Sequence, residues 1–414
     1  LAQSSSITLG NVLSGTGNLV KTGAGTVTLS GTNTYAGSTT ITEGALSISA
    51  DANLGAGAIT LDGGGLSVTA SGTIDNAFVW SGSGTGGIHT NGNSVTLSGA
   101  ISGTGAFTKN GAGTLTLTGA NTSSGTTTVS VGTLSVAGSA NLGSGTVVID
   151  SGTLAITGAT TLANTIQIVG TAATIANSNA VTLSGTVAAS GNLVKTGSGT
   201  LTLTGANAIN TTTSVNGGTL SVATSANLGT GGLVLNGGGL AITGNIAGFI
   251  NAFSIGAGGG TIDVSGTQAT LAGSFSGSGD LTKTGAGTLV LSGSSVGRSG
   301  HTTVSAGTLS ITNNNNLSTG GLTLDGGTLD VTGSGVTVSR NMTMGAGSGT
   351  IQTANAVTLS GTISGTGDLT KTGAGTLTLS GTSTHSGTTT IKAGTLSIAN
   401  GSKLGTGGLT LDGG

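Results

Sequence analysis

Between residues 114 and 169 small polar residues alternate with aliphatic ones in short bursts. These are TLTL (114 to 117), TTTV (126 to 129), TLSV (133 to 136), TVVI (146 to 149), TLAI (153 to 156) and TIQIV (165 to 169). A period of two sends successive side chains to opposite faces, so each burst predicts a short half-buried strand. The separators G-A-N-T-S-S-G, A-G-S-A-N-L-G-S-G and D-S-G supply positive φ and side-chain-capped turns. No apolar stripe of 3.6-residue period appears, which predicts almost no helix.

The pattern repeats on a longer scale. V-T-L-S-G and its variants start at Ile7, Val95, Val181, Ala269 and Val357, in steps of 88, 86, 88 and 88. The N-L-G sites at Asn53, Asn141 and Asn227 keep the same period, continuing as Asn316-Leu317-Ser318 and Lys403-Leu404-Gly405. Repeats therefore span 7–94, 95–180, 181–268, 269–356 and, in part, 357–414. About twelve strands per repeat suggest four turns of roughly 22 residues with three strands each. The expectation is an all-β, right-handed parallel β-helix, one continuous solenoid over 1–414 with about 19 rungs stacked about 4.8 Å apart. Leu115, Leu117, Val129, Leu134 and Val136 should point inward, and Thr114 and Thr116 should face water. A membrane barrel would need strands of about 9 to 11 residues and aromatic girdles. Turns that differ within each repeat argue against amyloid-like stacking.

Composition supports a folded but chemically quiet chain. Glycine accounts for 85 of 414 residues, proline and cysteine are absent, 35% of residues are apolar and only 5% are charged, for a net charge of −2. Disordered chains combine low hydrophobicity with high net charge, which is not the case here. Glycine without a G-X-Y register or proline excludes collagen. Seven aromatics and so few cations leave little with which to hold nucleic acid. Without cysteine there is no disulfide framework and no thiolate metal site. No apolar run of about 18 residues and no signal-like segment is visible.

Only nine residues are basic, yet five of them recur before a glycine-rich turn: Lys21, Lys109, Lys195, Lys283 and Lys371. Two residues before each stands Leu19, Phe107, Leu193, Leu281 or Leu369, so unbroken alternation would bury the lysine. Burial of an unpaired charge is too costly. The strand is therefore expected to end at the lysine, making it a structural corner whose stem covers the turn and whose ammonium stays in water. Four turns apart, such charges would form no anion groove.

Catalytic and cofactor chemistry finds no support. Asp62, Asp150, Asp325 and Asp412 occur in D-G-G or D-S-G or beside them and read as turn formers. Asp51 and Asp75 are separated by roughly one rung of sequence and could stack one above the other. The only glutamate is Glu43, and no pair of carboxyls converges as glycoside hydrolysis requires. His89, His301 and His385 fall in different repeats, read as loop residues, and cannot share a metal. Gly82-Ser83-Gly84-Thr85-Gly86-Gly87 satisfies G-x-G-x-x-G, but in so glycine-rich a chain this is expected by chance, and no helix follows. Calcium-solenoid nonapeptides are absent, and no cofactor or metal is expected. Outward T-x-T pairs such as Thr114 and Thr116 raise the idea of an ice-binding array, but Val148, Ala155 and Gln167 would make it ragged.

Residues 15 to 46, G-T-G-N-L-V-K-T-G-A-G-T-V-T-L-S-G-T-N-T-Y-A-G-S-T-T-I-T-E-G-A-L, resemble the autotransporter-associated β-strand repeat of type V secreted passengers. The likeness covers a stretch of this length in every repeat. Tyr35 is replaced by Ser123, Ile209 and His385, and the fourth repeat has an extra residue within G-S-S-V-G-R-S-G-H. The resemblance implies an extracellular or outer-membrane-tethered, non-enzymatic structural and adhesive stalk, with membrane attachment only through a C-terminal barrel that these residues do not include. A head-to-tail filament subunit is the alternative, since an open strand edge recruits partners. Self-association and cell-surface or matrix glycans are the expected partners. A glycan-binding or polysaccharide-degrading β-helix is a weaker reading. Ligand contact is expected in the looser segments 69–94, 157–180, 243–268 and 332–356, which hold Trp80, Arg340 and several phenylalanines.

Overall fold

The computed structural model describes residues 1–81, 86–295 and 297–414. It is an all-β parallel solenoid of about 20 turns. The predicted strands form almost as read: Thr114–Leu117, Thr127–Val129, Thr133–Val136, Val147–Ile149, Thr153–Ile156 and Ile166–Ile168. Helix among the described residues is confined to single 3-10 turns, Asp51–Asn53, Ser139–Asn141, Ser225–Asn227, Asn314–Asn316 and Gly401–Lys403, at the N-L-G sites and their variants.

The chain divides into two compact units, Leu1–Thr211 and Thr212–Gly414. In the first, an eleven-stranded parallel sheet runs from Ile7–Leu9 to Ala208–Ile209. A single turn carries Ile7 to Val27, Val27 to Leu46 and Phe107 to Thr127 along this sheet. A second sheet climbs from Gly72–Ile74 through Thr114–Leu117 to Leu193–Thr196. The third direction is taken by the strands from Leu19–Lys21 to Ile101–Gly103 and from Thr160–Leu162 to Thr200–Leu203. In the second unit, a nine-stranded sheet runs from Ile246–Phe249 to Leu409–Leu411. Beside it, strands climb from Thr219–Val222 to Ile363–Gly365, and a four-stranded sheet runs from Val336–Val338 to Thr395–Ile398.

These turns are shorter than expected, which corrects the reading of four turns per repeat. The repeat period is not a whole number of such turns, so each repeat hands its motifs to the next face. In the first unit Thr26–Leu29 lies in the first sheet, Thr114–Leu117 in the second and Thr200–Leu203 in the third. In the second unit Thr288–Leu291 belongs to the nine-stranded sheet and Thr376–Leu379 to the four-stranded one.

Inward residues stack like on like. Leu115, Leu134, Leu154 and Ile175 are consecutive partners in one ladder and are fully buried. Each such side chain contributes roughly 1.5–3 kcal/mol of burial. Leu117, Val129 and Val136 are buried as expected. The aromatics of the looser segments are core residues, not ligand contacts: Phe78, Trp80, Phe249 and Phe253 are all buried. Trp80 stacks on Phe107 with ring centroids 4.5 Å apart, and Phe253 meets Phe249 and Phe275 edge-on.

Candidate functional site: buried corners and outer faces

The strand Phe107–Asn110 does not stop at its lysine. Lys109 pairs in register with Ile88 on one side and Val129 on the other, inside the aliphatic column, and is fully buried. Its Nζ donates to the carbonyl oxygens of Asn110 (2.9 Å), Gly111 (2.6 Å) and Val131 (3.0 Å). Gly111, at φ +78°, lets the corner turn so that these carbonyls face the column.

Lys21, Lys195, Lys283 and Lys371 are equally buried. Lys21 donates to Thr22, Gly23 and Glu43 carbonyls, Lys283 to Thr284, Gly285 and Ala306, and Lys371 to Thr372, Gly373 and Ala393. Lys195 donates to Thr196 and Gly197. Two sequence expectations are therefore corrected: apart from Leu19–Lys21, which ends at its lysine, the strands continue one residue past it, and in none of the five does the ammonium reach water. An ammonium has three donors and no acceptor, and a corner of carbonyls satisfies it without a counter-ion. In the cages of Lys21, Lys109, Lys283 and Lys371 the third carbonyl belongs to the next turn, so the side chain ties two turns together from within. Burial lowers Lys109, Lys195 and Lys283 to about 8, with Asp263 opposing the shift at Lys283. Burial also lowers Lys21, against Glu43, and Lys371.

Three residues before the lysine, a side chain ties the same turns from outside. Asn18 Oδ1 accepts from the Ser38 amide (2.9 Å), Asp280 Oδ1 from His301 (2.7 Å) and Asp368 Oδ1 from Thr388 (2.7 Å).

Sequence reasoning missed a set of buried asparagine brackets. Asn121 Oδ1 accepts from the Ile101 amide while its Nδ2 donates to the Asn141 carbonyl. Asn141 in turn accepts from Ala137 and Gly138 amides and donates to Gly119 O, and Asn164 donates to Gly143 and Gly145 carbonyls. Asn33, Asn53 and Asn76 build the same bracket one repeat earlier. The recurrence of asparagine at these positions was the available signal. Where serine replaces it, at Ser295 and Ser383, the buried hydroxyl has no partner.

The variable position of Tyr35 also faces inward. Tyr35 Oη lies 2.6 Å from Thr39 Oγ1, Arg298 Nη1 donates to Thr302 Oγ1 at 2.7 Å, and His385 Nε2 lies 3.0 Å from Thr389 Oγ1. One buried threonine position thus serves three different partners, and His385 lies in a loop, between Thr376–Leu379 and Thr389–Ile391, but is buried in the core. Arg298 also donates to His301 O and lies over the Phe275 ring at 5.2 Å. Burial lowers Arg298 to about 10, opposed by Asp280, and lowers His385, opposed by Asp368.

The remaining chemistry-bearing residues do not converge. His89 is exposed at a strand end, and His301 Nε2 sits 2.7 Å from Thr323 Oγ1. The Asp75 amide donates to Asp51 Oδ1 at 3.2 Å, one turn apart; burial raises Asp51, the Asp75 amide opposes this and the Asp75 charge adds to it. Among the described residues no group of three His, Cys, Asp or Glu could hold a metal, and no helix is long and apolar enough to cross a membrane. Residues 82–85 of the G-x-G-x-x-G string lie outside the described residues.

On the outer faces the threonines line up better than expected. Thr114 pairs with Ser94 and Thr133, and Thr116 with Thr96 and Ser135; Val148 and Gln167 belong to another sheet, but Ala155 follows Ser135 in this ladder and interrupts it as expected. In the second unit Thr288, Thr308, Thr328, Thr350, Thr370, Thr390 and Thr410 form one unbroken ladder.

The lysine corner and the strands that follow it match a known repeat. The model of the passenger-associated-transport-repeat matches residues 19–48, 107–136, 193–222, 281–311, 306–331 and 369–398. This bears out the resemblance read from residues 15 to 46. The chain is also similar to the adhesin BmaC autotransporter of Brucella suis biovar 1 (strain 1330), with 35% identity over 105 residues. That stretch is 25% of this chain and 3% of the relative, so the chain matches only a small part of that protein's length. No solved structure matches the chain.

Proposed function

We propose that residues 1–414 are a stretch of an exported, non-enzymatic passenger that serves as an adhesive stalk on a bacterial surface. The observation that carries this reading is the coincidence of five of the six passenger-type repeat matches with the lysine-cornered turns of a parallel solenoid. The likeness to part of an autotransporter adhesin supports the adhesive role. Internal ties in every repeat suit a load-bearing stalk, because backbone pairing between turns is reinforced once per repeat by a buried lysine and, where they occur, by the asparagine brackets.

The test is to fuse the chain ahead of a membrane barrel, display it on a non-adherent bacterium, and count cells retained on epithelial monolayers and on matrix-coated glass. Retention well above the barrel-only strain is expected, together with loss of the chain on treating intact cells with protease. Equal retention of the two strains, with the chain displayed, would overturn the adhesive role.

A further inference from the structure

In the second unit an outward column climbs in register through Thr219, Gly239, Thr261 and Thr282. One place in it has no side chain. The same place is Thr153 in the second repeat, between Thr133 and Thr174, and Thr328 in the fourth, between Thr308 and Thr350. The backbone does not require glycine there: the φ of Gly239 lies outside the left-handed region, and an added Cβ would meet nothing nearer than Thr261 O at 3.4 Å. Gly237 and Gly259, at φ +91° and +72°, are by contrast needed for their turns. Glycine inside a strand weakens it and commonly marks a close approach by another group.

A shallow surface trough of about 560 Å³ lies over this gap. Its floor is the glycine backbone of 237–239 and 258–260, with Thr219, Thr261 and Thr282 beside it and Asp280 at the rim. Asp280 is exposed and commits Oδ1 to the His301 amide; Oδ2 has no hydrogen-bond partner among the described residues. The nearby Lys283 is buried on its own corner carbonyls, so its ammonium cannot reach a ligand in the trough. The same column in the first repeat reads Ala45, Gly65, Gly87, and a smaller trough lies there, beside His89 and Asn110.

We propose that the trough around Gly239 binds a neutral sugar ring of a surface glycan, a proposal that rests on the adhesive reading and names its ligand class. The flat glycine floor admits a ring edge-on. Threonine hydroxyls donate and accept, and the free carboxylate oxygen accepts from sugar hydroxyls. With an exposed carboxylate at the rim, and with the cations nearest it, Arg298 and Lys283, both buried, anionic glycans are disfavoured.

The experiment titrates the 414-residue chain with cellohexaose, maltohexaose and a chondroitin sulfate hexasaccharide. At least one neutral probe should bind more tightly than the sulfated one. Gly239→Thr, which copies Thr153 and Thr328, should weaken that binding about tenfold or more while leaving circular dichroism unchanged and the melting temperature equal or higher. Asp280→Asn should weaken it less, since Asn18 shows that asparagine keeps the cross-turn bond. Binding by neither neutral probe, tighter binding of the sulfated one, or unchanged binding by Gly239→Thr would each overturn the site. Adherence of displayed wild-type chain without sugar binding would sink the trough and leave the adhesive reading standing; absence of adherence would sink that reading instead.

Discussion

Lys109 Nζ donates to the carbonyl oxygen of Val131, 3.0 Å away and one turn further along the solenoid. A charged side chain here sits inside a hydrophobic column and joins two turns through backbone acceptors alone. Each repeat supplies a buried lysine of this kind, so the rationed positive charge of the chain goes into its interior.

Replacing Lys109 by methionine keeps the apolar stem and strands three inward carbonyls. Unsatisfied buried acceptors cost about 1–3 kcal/mol, so Lys109→Met should lower the denaturation midpoint clearly. Lys392→Met, at an exposed lysine, should change it little. Equal midpoints for the two variants would show that the cage contributes no net stability.

The pH dependence follows from Lys109, Lys195 and Lys283, whose folded-state values of about 8 lie below the ordinary 10.5. Between about 8 and 10.5 the unfolded chain binds more protons than the folded one, so stability should rise with pH across that window. Below it all forms are protonated and the curve should be flat with respect to these groups. Urea unfolding at pH 7, 9 and 10.5 checks this, with the triple methionine variant losing the rise.

Leu117 is buried and its neighbour Thr116 is half-exposed on the outer face. Leu117→Asp should destabilise by several kcal/mol through an unpaired buried charge, roughly the scale of the largest single-site effects. Thr116→Asp should be nearly silent. Thermal melts of the two variants decide the inward and outward assignment.

Ser383 occupies the place of Asn33 and Asn121, with its hydroxyl buried and unpartnered. Ser383→Asn should restore a bracket to the turns on either side and raise stability by about 1 kcal/mol, the worth of a net hydrogen bond. An unchanged or lower melting temperature would mean that the local backbone has closed up around the smaller residue.

How far each feature was legible in the sequence follows from the range of the interactions behind it. Alternation of period two in TLTL and TLSV determined the strands and the parity of Leu117 against Thr116, because those depend on neighbours two positions apart, and the count of strands within each long repeat gave the solenoid class. The long repeat period located the five corner lysines. The lysine's surroundings were not legible, since the third acceptor of Lys109, the Val131 carbonyl, lies a full turn further along the chain. Local reading sees only a charge that should avoid the core. The asparagine brackets escaped for the same reason: Asn121 is satisfied by Ile101 and Asn141, each one turn away. Turn length, too, was decided in three dimensions. A slightly shorter turn than expected is invisible in any one strand, yet across a repeat the difference moves Thr114–Leu117 to a different face from Thr26–Leu29. It also settles which threonines stack and leaves Gly239 as the gap in its column. Backbone pairing between turns sets that register, and only the folded chain fixes it.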